Sequence, residues 1–169
     1  MNFYIGQVFT SEYSPEVASW CNKNNAYIIK ENNKFIIKAV PEPSLDELKE
    51  QKIKQIDKET SDSILYGFDY TINNIKYHFN YDSFDQQNFA DTANMCQLAI
   101  SGAEGLPTSV TWNSYLEDGT LVQQIFNANE FLDLYVKGAM VHKATQMAIG
   151  GQRKAAVQLA STKEELDNI

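Results

Sequence analysis

Cysteine and histidine are both scarce in this chain, and their scarcity excludes several kinds of site. Of the 169 residues, two are cysteine, Cys21 and Cys96, and two are histidine, His78 and His142. Two cysteines cannot form a disulfide framework, and they cannot complete a four-ligand zinc site without histidine. The sequence therefore predicts no disulfide scaffold, and the cysteine count assigns no redox compartment.

Basic residues and long apolar runs are also few. Fourteen Lys and Arg stand against 22 Asp and Glu, which gives a formal net charge of −8. A general nucleic-acid binder or an anionic-membrane binder needs cationic surface, so only a local basic patch is left open. No apolar run is long enough to span a bilayer, and the first 14 residues lack the basic and apolar segments of a secretion signal. We expect a soluble, cytosolic chain with no nucleic-acid partner and no membrane insertion.

Recognisable catalytic motifs are missing as well. The sequence contains no G-x-S-x-G, P-loop, H-E-x-x-H or C-x-x-C pattern. His78 and His142 have no second ligand at a fixed spacing, so we interpret them as solvated surface residues. The acids Asp82, Asp85 and Asp91 lack the glycine and the distal glutamate of a calcium loop, and helix capping explains the first two. We therefore predict no enzymatic activity, no metal and no cofactor.

A pair of prolines marks a boundary between the first predicted elements and the rest of the chain. Before it, Ser14 with Pro15 predicts a short helix, and residues 26–30 and 35–40 predict a hairpin. Pro41 and Pro43 cannot continue a sheet ladder, so we place a boundary there. Residues 1–43 are predicted to form a small N-terminal module of helix and hairpin.

The stretch after the prolines begins with a capping box, Ser44 and Glu47, which predicts a helix over residues 44–63. Its apolar stripe is narrow, which suits a linker helix. An oligomer seam is the alternative, but Lys49 and Lys52 interrupt a heptad repeat.

Residues 64–169 alternate hairpins with helices and predict a C-terminal domain of the α+β class. The signals are an aromatic alternation over 66–79, a helix from Asp82 or Ser83 to Gly102, a second hairpin over 110–125, a long helix capped by Asn127, and a short terminal helix. Gly150 and Gly151 are expected to weaken or break the long helix.

Charge separates the long helix from the region before it. Residues 64–133 carry nine acids and a single base, whereas residues 134–160 carry four bases and no acid. Small residues in the helix permit close approach to another helix. We therefore predict that this helix packs against an acidic partner surface, within the chain or between copies. The candidate partner-contact residues are Gly138, His142, Ala144, Ala148, Arg153 and Lys154.

Short motifs in the first third of the chain resemble bacteriophage proteins. I-G-Q-V-F at 5–9 and S-P-E-V-A-S-W-C-N at 14–22 resemble the N-terminal part of small proteins encoded in phage and prophage tail modules. P-E-P-S-L-D-E-L-K at 41–49 is similar to the proline-rich entry to a charged helix in tail and tail-fibre assembly proteins.

The remainder is similar to a domain of unknown function common in phage tail proteins. The matching features are the strand pair from Tyr70 to Phe79, the helix with Asp82 and Phe89, Trp112 with Gly119, the helix start from Phe131 to Leu134, and T-K-E-E-L at 162–166.

This resemblance implies a non-enzymatic tail protein, a tail-fibre or baseplate component or accessory that acts through contacts with other phage tail or fibre proteins. One alternative is a tail-fibre assembly chaperone that is absent from the mature particle. Another is a glycan-binding adhesin that uses exposed tyrosines and the acid cluster. The implied location is the bacterial cytoplasm during assembly, with the virion tail as the second location, and a homo-oligomer is left open.

Overall fold

Antiparallel hairpins with asparagine turns organise both sheets of the computed structural model, which describes residues 2–169. Asn32 and Asn33 in one turn, and Asn73 and Asn74 in another, have positive φ angles of 49–65°. Asparagine tolerates this left-handed conformation, which two-residue hairpin loops require. These two predicted hairpins are therefore present, as is the third over residues 110–125, and the mixture of helices and antiparallel strands confirms the α+β class.

The smaller of two compact units ends at Ser44. It contains β1 (Val8–Phe9), α1 (Pro15–Lys23), β2 (Ala26–Glu31) and β3 (Lys34–Ala39), with strand order β1-β3-β2. Its core is formed by buried side chains of the helix and the sheet, namely Val17, Cys21, Ala26 and Ile37. Helix α1 thus covers one face of a three-stranded sheet.

The larger unit extends from Leu45 to Ile169. Its first half contains α2 (Leu45–Tyr66), β4 (Phe68–Ile72), β5 (Ile75–Phe79) and α3 (Ser83–Ile100). The second half contains β6 (Ser109–Tyr115), β7 (Leu121–Asn127), α4 (Ala128–Asp133), a π-helical segment (Leu134–Met140), α5 (Val141–Leu159) and α6 (Lys163–Asp167). The four strands pair in the order β4-β5-β6-β7.

Aromatic side chains fill the core between this sheet and its helices. Phe79 of β5, Phe89 of α3 and Phe131 of α4 are fully buried. The Phe89 ring lies 4.3 Å from the Trp112 ring, between centroids, and 5.7 Å from the Phe131 ring. Helices α3 and α4 therefore cover the aromatic face of the sheet, which explains the alternation seen in the sequence.

Helix α2 packs inside the larger unit instead of linking two units. Its fully buried Ile56 belongs to a cluster with Val157 of α5, Ala160 and Leu166 of α6. The two long helices are antiparallel, since Lys49 Nζ contacts Gln158 O at 3.1 Å and His142 Nε2 contacts Ile64 O at 3.2 Å. The narrow apolar stripe of α2 is thus used within the chain, and the unit boundary precedes the helix.

The long helix is continuous from Ala128 to Leu159. Asn127 and Glu130 form the reciprocal capping box at its start, as the sequence predicts at Asn127. The helix is not broken at Gly150 and Gly151, contrary to expectation. Gly150 is buried against Thr60 of α2, so packing compensates for its low helix propensity.

The two adjacent glycines provide a matched test of this packing. A methyl group at position 150 would overlap the Thr60 side chain, whereas at position 151 it would meet nothing within 4 Å. We expect Gly151→Ala to raise the free energy of unfolding by about 1 kcal/mol through helix propensity. Gly150→Ala should lower it by about 1–3 kcal/mol through overpacking. Urea denaturation measures both values, and equal stabilisation by the two variants would show that α5 does not approach α2 this closely.

Candidate functional site

The six predicted partner-contact residues lie on different faces of the long helix. Gly138 is buried, and a side chain there would overlap the Phe68 ring. Arg153 Nη1 lies 2.6 Å from Glu59 Oε2, and Lys154 Nζ lies 2.7 Å from Asp57 Oδ1. Gly138, Arg153 and Lys154 therefore hold the helix against its own chain.

His142, Lys137 and Lys143 of the helix also have partners within the chain. His142 is half-buried, with Nε2 against the Ile64 carbonyl oxygen and its ring centroid 6.0 Å from that of Phe68. Lys137 pairs with Asp133 at 2.7 Å, and Lys143 Nζ donates to Gln86 Oε1 at 2.8 Å. The acids that meet the two cations near the end of α5 belong to α2, not to the acidic stretch 64–133 from which the sequence predicted them.

Ala144 and Ala148, the remaining two candidates, are exposed and lie on the opposite side of α5. With them lie other exposed apolar or small residues. We define the apolar face as Met140, Val141, Ala144, Met147, Ala148, Gly151, Ala155 and Leu159. The Met147 and Leu159 side chains are 59% and 82% exposed. No charged residue belongs to this set.

The central residues of the apolar face follow a heptad spacing. Val141, Ala144, Ala148, Gly151 and Ala155 are separated by alternating steps of three and four residues. This spacing is typical of the seam along which two helices pack, and small residues at a seam let two backbones approach closely. The spacing is visible in the sequence, but only the contacts with α2 identify this face as the outer one.

The Arg153–Glu59 pair gives the junction between α2 and α5 a pH-dependent component. Hydrogen bonds from Arg153 and from Gln55 Nε2, the latter at 2.7 Å, lower the pKa of the Glu59 carboxyl below its usual value of 4.5. The ionised form is therefore favoured in the folded state. Both partners remain partly exposed, so the pair makes a small contribution to the stability of the junction and is not its main source.

A cleft of about 710 Å³ lies beside the π-helical segment and includes His78, Asp69 and His142 among its lining residues. His78 is not a solvated surface residue: Nδ1 lies 3.0 Å from Asp69 Oδ1, and Nε2 lies 3.0 Å from the Tyr66 carbonyl oxygen. Lys76, 2.7 Å from Asp69, and then His78 lower the pKa of the Asp69 carboxyl.

The Asp69–His78 pair resembles an acid–base dyad, but the second ring nitrogen of His78 does not face an open site. In such a dyad the second ring nitrogen faces a nucleophile or a substrate proton. Here Nε2 of His78 faces a backbone carbonyl oxygen, which can only accept a hydrogen bond. The ring therefore joins β5 to the end of α2 through Tyr66.

Asp82 and Asp85 of the acid cluster lie at the start of α3, where the sequence predicts them to stabilise a helix. Asp82 Oδ1 caps α3 by accepting hydrogen bonds from the backbone N–H groups of Phe84 and Asp85, at 2.8 and 2.9 Å. Burial, and then the neighbouring Asp82 carboxylate, raise the pKa of the Asp85 carboxyl. In residues 2–169 no three His, Cys, Asp or Glu side chains are grouped to hold a metal ion.

Most tyrosines of the aromatic hairpin and the residues after it pack into the core. Tyr81 is buried and 5.6 Å from the Phe89 ring, and Tyr70 and Tyr77 pack against the same core. Tyr66, at 76% exposure, is the accessible member of the group. No helix formed by residues 2–169 has the length and apolar character needed to cross a membrane.

The lowered pKa of Glu59 predicts how the junction responds to acid. Its contribution to stability is present above the unfolded-state pKa and is lost as the pH falls through the lower folded-state value. We expect Glu59→Gln to be less stable than the natural chain at neutral pH and the two to converge in the acid range below pH 4.5. Thermal melts at several pH values measure the difference. Glu50→Gln, at an exposed position of the same helix, is the control, and a constant deficit at every pH would contradict the pairing.

Comparison with known proteins assigns the larger unit to a family. The family model described as "Domain of unknown function (DUF4376)" matches residues 47–169. This range begins two residues after the first residue of the larger unit and ends with it. No curated protein matches the chain, and no solved structure matches it. The family match covers more than half of the sequence, so the chain belongs to the DUF4376 family.

Proposed function

We propose that this chain is a non-enzymatic bacteriophage or prophage tail protein, a component or accessory of the tail fibre or baseplate that works through protein–protein contacts. The tail context rests on the sequence resemblance. The contact function rests on one observation, the uncharged apolar face of α5. On this proposal the protein is present in the bacterial cytoplasm during assembly and in the tail afterwards.

The apolar face favours a helical protein partner for two reasons. Its exposed Met147 and Leu159 side chains gain about 25 cal/mol for each Å² of apolar surface removed from water. Its central alanines and glycine match the close approach of a second helix. We propose that the partner is a second copy of this chain, because a two-fold axis through the face would pack the same surface of both copies together.

Charge also permits this self-pairing. Arg153 and Lys154, the cations near the end of α5, already face Glu59 and Asp57 of α2. Two copies of the helix therefore do not bring unpaired positive charges together. A charge placed inside the seam, in contrast, would have to lose its hydration without a partner, which is costly.

Ala148→Glu tests the proposed contact. Because position 148 is exposed, the variant should keep the thermal stability of the natural chain, while the charge should abolish self-association. Ala156→Glu is the matched control, since it introduces the same side chain at another exposed position of the same helix, outside the apolar face. Sedimentation velocity on the order of 100 μM would detect even a weak dimer. A natural chain that stays monomeric, or equal dimers from both variants, would contradict self-pairing through this face.

Mass spectrometry of purified phage particles tests the tail context. Stoichiometric presence of the chain in the particle supports a structural component. Its absence, together with a complex with the fibre protein in infected cells, would instead support the assembly chaperone.

A further inference from the structure

A second cleft opens where the larger sheet splays apart. In the described chain, β5 and β6 pair in register at one position, His78 with Tyr115. Beyond it β5 ends at Phe79 and the chain turns into α3, while β6 continues along β7. The divergence leaves a cleft of about 450 Å³ between the first turns of α3 and the strand β6.

Aromatic rings form the walls of this cleft. Phe84, in the first turn of α3, is 74% exposed. Trp112 and Tyr115 of β6 are half-buried and also line the cleft. The indole of Trp112 is fixed from behind by Phe89 and Phe131, at centroid distances of 4.3 and 5.0 Å. The core therefore holds the Trp112 wall in place. The exposed Phe84 ring is in contact with water, which is unfavourable for an apolar surface, and a ligand that covered it would remove this contact.

Amide side chains supply the polar part of the lining. Asn88 comes from α3, and Asn113 and Gln123 come from neighbouring strands, where Gln123 Nε2 donates to Asn113 Oδ1 at 3.3 Å. Among the described residues, the Asn80 and Asn88 side chains make no hydrogen bond with the rest of the chain. Each amide offers both a donor and an acceptor, which is the combination that a hydroxyl group needs.

The charge of the lining restricts the ligand further. The cleft contains one carboxylate, Asp85, and no Lys, Arg or His. A phosphate, a sulfate or an acidic sugar would meet no cation there and would be repelled by the carboxylate. Nucleotides are disfavoured for the same reason. A neutral ligand with an apolar face and several hydroxyl groups fits both the aromatic walls and the amides.

We propose that this cleft binds a neutral saccharide, with the aromatic rings against its C–H faces and the amides of Asn88, Asn113 and Gln123 on its hydroxyl groups. The volume lies within the range of about 300–1,000 Å³ that is typical of small-molecule sites. The site differs from the exposed-tyrosine site expected from the sequence, because it uses Phe84, Trp112 and Tyr115. It is independent of the proposed contact through the apolar face of α5.

NMR titration of the full chain tests the site with three neutral disaccharides, namely lactose, maltose and N,N′-diacetylchitobiose. Glucose 6-phosphate serves as the anionic comparison. We expect at least one disaccharide to give saturable shifts of the Trp112 indole N–H and of the Asn88, Asn113 and Gln123 side-chain amides, with a Kd on the order of 1 mM. No saturable shift with any of the three, or tighter binding of glucose 6-phosphate, would overturn the proposal.

Two variants with equally exposed aromatic rings locate the binding. Phe84→Ala should weaken the disaccharide about tenfold, and because the ring is 74% exposed the fold should be retained, as the same spectra report. Tyr66→Ala, which removes a ring of 76% exposure outside this cleft, should leave the Kd unchanged. Equal weakening by both variants, or none by Phe84→Ala, would overturn the assignment.

Discussion

The close approach of one long helix to its neighbours is the constraint on which the larger unit depends. Gly138 lets the π-helical segment press against the Phe68 ring, and Gly150 lets α5 press against Thr60 of α2. A π-helical segment shifts the residues that follow it around the helix axis, because each of its turns contains more residues than an α-helical turn. The two glycine contacts fix the inward side of the helix within the π-helical segment and after it.

This orientation separates the chemistry of the helix into two sides. The cations turn toward the chain, where Arg153 and Lys154 meet acids of α2. Many of the exposed residues of α5 are apolar or small, whereas the exposed face of the usual amphipathic helix is mostly polar. Exposed polar residues such as Gln152 and Gln158 lie on the helix as well. A group of exposed apolar residues on one face is characteristic of protein–protein contacts, and it is the basis of the proposed role.

Local signals predicted much of the fold. The asparagine turns, the capping residues Asp82 and Asn127, and the aromatic alternation each depend on residues close in sequence, and each element formed where expected. These signals suffice for hairpins and for helix starts.

The candidate site was harder to predict because it depends on distant pairs. Asp57 meets Lys154, and Ile64 meets His142, across nearly the whole larger unit, and no local pattern encodes either pairing. Without them, the inward and outward faces of α5 cannot be told apart, so the predicted contact residues include some from each face. The same limit applies to His78, whose partners Asp69 and Tyr66 are brought to it by strand pairing and by the end of α2. Tyr81, in contrast, follows Tyr77 and Phe79 on the aromatic face, and it packs against Phe89 of α3.

Thiol trapping at the middle of the apolar face tests the central claim most directly. Position 148 lies near the centre of the face, so pairing of two helices in either direction would bring two Ala148→Cys thiols close together, while the natural Cys21 and Cys96 are buried. Ser61→Cys, at an exposed position of α2, measures random collision. The account predicts that mild oxidation converts Ala148→Cys into a disulfide-linked dimer much faster than Ser61→Cys. Equal rates for the two variants would show that the face has no preference for its own copy.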